Sequence, residues 1–254
     1  MQRRKAFTLI ELLVVIAVIA VLMGILLPSL NLAREQGKKA VCSSHSRQLG
    51  LCFRLYADDN KGFLHQVSNN GLWDNAWEDP VIVKKYTWDD KSGYAYWGIA
   101  YEPYAKTRDI FHCPSQRRVD DWPSYGWGYA YQGFFKYCGY GLNGYVTWNE
   151  DKNRECNLYS DFKRPDEVIL FQDHVEQKLD DNGDMFYIRS GESINLTQWR
   201  NQWGKEFPDA VRECFRHNKR SVTCWADGHV SEIRETTGED VPKRWYTGKK
   251  ESNL

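Results

Sequence analysis

The sequence predicts an α+β chain. A long N-terminal helix, transmembrane over its first part, packs on a small antiparallel β-sheet with long, aromatic-rich loops. Three observations predict this. An apolar run occupies residues 7–27. Apolar and small residues then recur every three or four positions to about residue 56, the period of a helix with one packed face. Residues 221–233 read as two short β-rich runs around Asp-Gly, the pattern of a hairpin. Of 254 residues, 42% are hydrophobic and 27% charged, and the mean hydropathy is −0.65. That is globular composition, not a multi-span membrane protein or a disordered chain. Basic and acidic residues number 34 each, a balance that argues against nucleic acid as a partner.

The first element is Phe7 to Leu27, FTLIELLVVIAVIAVLMGILL, interrupted only by Thr8, Glu11 and Gly24. As a helix it spans roughly 31 Å, about one bilayer core. Arg3, Arg4 and Lys5 precede it and should stay cytoplasmic, placing the bulk of the chain outside. A cleaved secretory signal has a shorter apolar core and a small-residue cleavage site, and Pro28-Ser29-Leu30 offers none. Glu11 is the informative residue. A carboxylate inside an apolar run is costly and needs a partner, for which an ordinary anchor has no use.

Lys5-Ala6-Phe7-Thr8-Leu9-Ile10-Glu11 resembles the cleavage and methylation motif of type IV prepilins and type II secretion pseudopilins. The resemblance implies a pilin-like fold and a cut by a prepilin peptidase between Ala6 and Phe7. It also implies methylation of the new amine and Glu11 as the fifth mature residue. Ala6 departs from the Gly usual in that family, though a small residue remains. The resemblance divides the chain into a leader at 1–6, a long helix at 7–60 with 7–27 in the membrane, and an extracytoplasmic domain at 61–254. The implied partners are the peptidase, other pilin or pseudopilin subunits and the inner membrane, with the C-terminal domain in the periplasm or outside the cell. The physics agrees: Glu11 and a neighbour's Phe7 amine are each costly alone and far less so when paired.

Beyond residue 27 the helical period continues through Leu32, Ala33, Gly37, Ala40, Val41, Ser44, Leu51, Cys52, Leu55 and Tyr56, and Asp58-Asp59-Asn60-Lys61-Gly62 reads as its stop. One helix to about residue 57 is the reading; two helices broken at Pro28 is the alternative. The small residues at 33, 37, 40 and 44 either admit another backbone closely or sit beneath the sheet. Strand-like runs follow at Val81-Ile82-Val83, Val168 to Phe171 and Ser221 to Ile233. In the hairpin a two-residue turn at Asp227-Gly228 would put Val222, Cys224, Ala226 and Ile233 on one face, and Trp225 and Val230 on the other.

His217, nine residues and then Asp227-Gly228 resembles the H-x9-DG domain of a large pilin-like family abundant in planctomycetes. The segment at Cys42 to Gly50, Cys113-Pro114-Ser115 and Tyr140 to Asn143 are similar to other parts of it. His217, Asp227 and Gly228 are expected to serve folding, the Asp holding the turn and the His bonding nearby backbone. One His and one Asp make no complete catalytic constellation. An exported domain should carry partly oxidised Cys; Cys42 and Cys113, each in a recurring motif, are the first expected bridge. No cofactor and no catalytic residue is assigned, so the chain is not expected to be an enzyme. The resemblance makes Asp180, Asn182 and Asp184 a calcium candidate, since related pseudopilins bind calcium in a C-terminal loop; the alternative is a solvated turn. Trp73, Trp77, Trp88, Trp97, Trp122, Trp127 and Trp148 either fill a core poor in aliphatics or line a carbohydrate-binding surface. Two classes therefore stand: a structural subunit of a pilus or secretion filament, and an anchored carbohydrate-binding protein or enzyme exported on a pilin-type leader.

Overall fold

The computed structural model describes residues 9–64, 72–73, 95–117, 139–143, 159–174, 185–186, 212–236, 241–242 and 244–247. Helix α1 runs unbroken from Leu9 to Asp59. Pro28 lies inside it and does not split it, although proline removes one backbone donor and crowds the preceding turn. One turn beyond its C-terminus the Gly62 N–H donates to the Ala57 carbonyl at 2.7 Å, with Lys61 in the left-handed region at φ 56°. This is the six-to-one closure of a helix end.

The large apolar side chains from Leu9 to Leu32 are exposed. The buried stripe starts only at Cys42 and continues through Ser46, Leu49, Gly50, Phe53 and Ala57, spaced by three and four as a packed helical face requires. This corrects one expected option. Ala33, Gly37, Ala40 and Ser44 are exposed and do not sit beneath the sheet. Leu51 and Leu55 are exposed too.

Among the described residues the main sheet has five strands, in the order β5-β3-β4-β6-β7. They are β3 (Tyr140–Asn143), β4 (Ile169–Asp173), β5 (Met185–Phe186), β6 (Arg220–Trp225) and β7 (Val230–Arg234). The β3–β4, β4–β6 and β6–β7 pairs are antiparallel, and β5 adds to the edge in parallel. A separate two-stranded ladder joins β1 (Leu72–Trp73) and β2 (Ala95–Tyr96). A long apolar helix on a small, mainly antiparallel sheet is the α+β, pilin-like class. The Val81-Ile82-Val83 run lies outside the described residues. So do Trp77, Trp88, Trp122, Trp127 and Trp148, and the side chains of Trp73 and Trp97.

The hairpin differs from expectation in register. Gly228 N–H donates to the Trp225 carbonyl at 2.8 Å and Trp225 N–H to His229 at 3.0 Å, which leaves a three-residue loop. Only Gly228 takes positive φ, at 89°. This is a turn followed by a one-residue bulge, the next most common hairpin closure after the two-residue turn. The extra residue shifts β7 by one, and a one-residue shift exchanges its faces. Cys224 pairs with Val230 and Ser221 with Ile233. Val222, Cys224 and Val230 therefore share the helix-facing side, while Ile233 joins Trp225 on the other. On the helix-facing side Glu232 bonds Lys39 of α1 at 2.8 Å. On the outer side Trp225 stacks on His229 and meets Trp245 edge-on.

Packing between α1 and the sheet is aromatic. Phe53 stacks on Tyr101 at 3.8 Å and on Phe171 at 5.5 Å, and Arg54 lies 4.7 Å over the Tyr159 ring. Gly50 lets the helix approach β6: a Cβ there would stand 2.8 Å from Cys224 Sγ. Gly50→Ala is therefore expected to cost about 1–3 kcal/mol by overpacking. Gly37→Ala, with no atom within 4 Å of the added Cβ, should be neutral or stabilising, because alanine is the better helix former. Thermal unfolding of the two variants side by side checks this, and equal melting would contradict the close approach.

Candidate functional site

Two regions carry candidate functional residues. The first is the N-terminal end of α1. Ala6 and Phe7 lie outside the described residues. Glu11 sits exposed in the first turn of α1, where the helix dipole favours a negative charge. One turn on, the side chains are apolar and exposed. This helix is long and apolar enough to cross a membrane, with none of its apolar window buried in the protein.

The second region is a buried cluster that four separate segments build. Cys42 comes from the buried stripe of α1, Cys113 from the loop after the 3-10 segment Arg108–Phe111, Asp173 from the end of β4, and His217 from just before β6. Their donor atoms all lie within 4.8 Å of one another. Cys113 Sγ is 3.2 Å from His217 Nε2, Cys42 Sγ is 3.4 Å from Asp173 Oδ1, and His217 Nε2 is 3.5 Å from Asp173 Oδ2.

A ring of donors surrounds them. The Tyr140 hydroxyl stands 3.2 Å from Cys42 Sγ. The Val222 N–H donates to Asp173 Oδ2 at 2.7 Å. The Arg216 guanidinium, itself buried, lies 3.8 Å from Asp173 Oδ1 and donates to the Gly139 and His174 carbonyls. Gly139 is needed there, since a Cβ would fall 2.6 Å from Gln116 Oε1 and 3.2 Å from the Cys113 nitrogen. The cysteine loop is held to α1 at two further heights. The His45 ring bonds the His112 carbonyl at 2.8 Å and the Ser115 hydroxyl donates to Glu35 at 3.2 Å.

The electrostatics are those of a crowded acidic site with cationic neighbours. Burial pushes Asp173 up to about 7, against the opposing pull of Arg216. Burial also raises Cys113, but hydrogen bonds from Cys42 and His217 and the Arg216 charge outweigh it and bring the thiol down to about 4. Burial holds Cys42 well above the usual thiol range, and Cys113 and Asp173 reinforce it. His217 is lowered by burial yet raised overall by its bond to Cys113 and the Asp173 charge. A thiolate beside an imidazolium is the chemistry of a nucleophile. Here, however, Cys113 is 0% exposed and the His217 side chain likewise, so neither faces solvent in this structure. His217 Nδ1 is buried without a partner among the described residues.

The expectation for His217 needs correction: its ring contacts Cys113 and Asp173, while only its backbone N–H bonds nearby backbone, the Arg220 carbonyl at 3.2 Å. His217 and Asp227 lie at opposite ends of β6. Asp227 shapes its turn by accepting the His229 N–H at 2.9 Å and contacting the His229 ring at 2.6 Å. Asp180, Asn182 and Asp184 fall outside the described residues. Cys42 and Cys113 are adjacent, as a bridge would require, but are free thiols here. Sequence reasoning paired Cys42 with Cys113, placed His217 apart from them, and did not connect Asp173 with any of the three. Their separation along the chain hid the cluster.

Residues 1–27 match the family described as the prokaryotic N-terminal methylation motif. The chain is 38% identical over 63 residues to the type IV wide pilus major component PilA4 of Thermus thermophilus, covering 25% of this chain and 48% of that protein. The match thus spans about half the length of that curated relative. No solved structure matches the chain. The methylation motif, the similarity to a type IV pilin and the helix-on-sheet fold support a pilin-like subunit.

Proposed function

We propose that the chain is a structural, non-catalytic subunit of a type IV pilus-like or type II secretion filament. A prepilin peptidase removes residues 1–6, and the exposed amine of Phe7 is methylated. Residues 7–27 span the inner membrane once, residues 7–60 form the assembly helix, and residues 61–254 lie in the periplasm or outside the cell. In the filament Glu11 pairs with the Phe7 amine of a neighbouring subunit.

The observation that carries this reading is the methylation-motif match over residues 1–27, which leads directly into one unbroken helix. The outer face of α1 supports it. Apolar side chains stay exposed past the membrane segment at Leu32, Val41, Leu51 and Leu55, as a helix shared between neighbouring subunits requires. Mass spectrometry of the native N-terminus tests it. The expected product starts at Phe7 and carries one added methyl group. An intact Met1, or a cut beyond residue 27, would sink the reading.

A further inference from the structure

We propose that Cys42, Cys113, Asp173 and His217 together bind one zinc-class divalent ion, which clamps the second half of α1 to the sheet and its loops. The proposal rests first on convergence. Two sulfurs, an imidazole nitrogen and a carboxylate oxygen, drawn from four distant segments, point at one buried spot and lie within 4.8 Å of one another. Tetrahedral zinc, with bonds of about 2.0–2.3 Å to such atoms, spaces neighbouring donors about 3.3–3.8 Å apart. Three of the donor pairs stand 3.2, 3.4 and 3.5 Å apart, at the short end of that spacing.

The donor set selects the metal. Two thiolates favour zinc and other soft ions over calcium or magnesium, and one imidazole with one carboxylate completes a four-coordinate site. All four positions come from protein, so the site is closed and structural, with no vacant position for a substrate.

The surrounding shell is the second observation. The groups packed on the cluster include the Tyr140 hydroxyl at Cys42, the Val222 N–H at Asp173 and the buried Arg216 guanidinium. All three are hydrogen-bond donors, and such a shell stabilises anionic ligands and orients them on a metal. A disulfide carries no charge, uses two of the four donors, and gives the carboxylate and imidazole no common task. Charge closes as well. Two thiolates and one carboxylate balance a divalent ion and Arg216, with His217 neutral. The bare cluster would bury ionised groups at a cost of several kcal/mol per ion.

Both sulfurs bind as thiolates, any proton still held by Cys42 or the ligating His217 nitrogen passes to solvent, and no oxidation state changes. The ion is acquired as the chain folds, because the site exists only once α1 meets the sheet.

The test uses the full-length chain, purified in detergent through a tag without histidines. Elemental analysis should find about one zinc per chain. Replacement by Co²⁺ should give the thiolate-to-cobalt charge-transfer band and the visible bands of tetrahedral cobalt. Cys113→Ser should lower the metal content about tenfold or more, whereas Cys52→Ala, a buried thiol outside the cluster, should leave it unchanged. If Cys113→Ser fails to fold, the zinc content and cobalt spectrum of the unaltered chain decide alone. Peptide mapping that finds Cys42 joined to Cys113 without zinc would overturn the proposal. So would free thiols that take up no Zn²⁺ after refolding in excess metal. None of these outcomes depends on whether the chain assembles into filaments.

Discussion

Glu11→Ala is expected to insert in the membrane as well as the unaltered chain and to fail in assembly. Removing a carboxylate from an apolar run favours insertion. In the proposed filament, the same change would strand the neighbour's Phe7 amine in an apolar setting. Deleting one partner of a buried ion pair costs about 3–5 kcal/mol, roughly two orders of magnitude or more in subunit association. Glu11→Gln, which keeps the shape and loses the charge, should fall on the same side. The measurement is the share of variant subunit in sheared filaments against the share left in membranes, with unaltered subunit co-expressed. Incorporation equal to that of the unaltered chain would show that Glu11 has no pairing role.

The largest effect on the fold itself is expected from Phe53→Ala. Phe53 is fully buried and sandwiched between Tyr101 and Phe171, so it joins α1 to the sheet and to the 3-10 segment Trp97–Tyr104 at once. Truncating a buried Phe costs about 3–5 kcal/mol, part transfer and part cavity, which for a chain of this size lowers Tm by about 10 °C. Leu51→Ala, two residues away on the exposed face, should stay within about 0.5 kcal/mol. Unfolding of both variants in detergent, followed by near-UV circular dichroism, gives the comparison. A Phe53→Ala chain that melts with Leu51→Ala would mean that α1 is not packed on the sheet through this residue.

These two residues mark how far the sequence could be read. Glu11 stands out because its signal is local: a charge within an apolar run is anomalous whatever the rest of the chain does. The continuous helix was legible for the same reason, since its period and stop signal lie in contiguous residues. The two faces of that helix were not. Ala33, Gly37, Ala40 and Ser44 share the period of a packed stripe with Cys42, Ser46, Leu49 and Phe53, and only the docked sheet shows which stripe is covered. Asp173 had no local signal at all; it is one acidic residue at a strand end until β4 sets it beside Cys42 and His217.

By itself, then, the sequence determined the α+β class, the apolar anchor with its methylation motif, and the existence of the hairpin. Each rests on composition, period or turn chemistry within a few dozen contiguous residues. Tertiary structure decided the rest. The three-residue loop at Ala226-Asp227-Gly228 shifted β7 by one position and exchanged its faces, because strand side chains alternate with a period of two. The meeting of Cys42, Cys113, Asp173 and His217 required α1, a loop and the β4–β6 edge to close on one point. The chain separates these residues by up to 175 positions. No local pattern encodes such a meeting, since contacts at that separation exist only after the core that brings them together has formed.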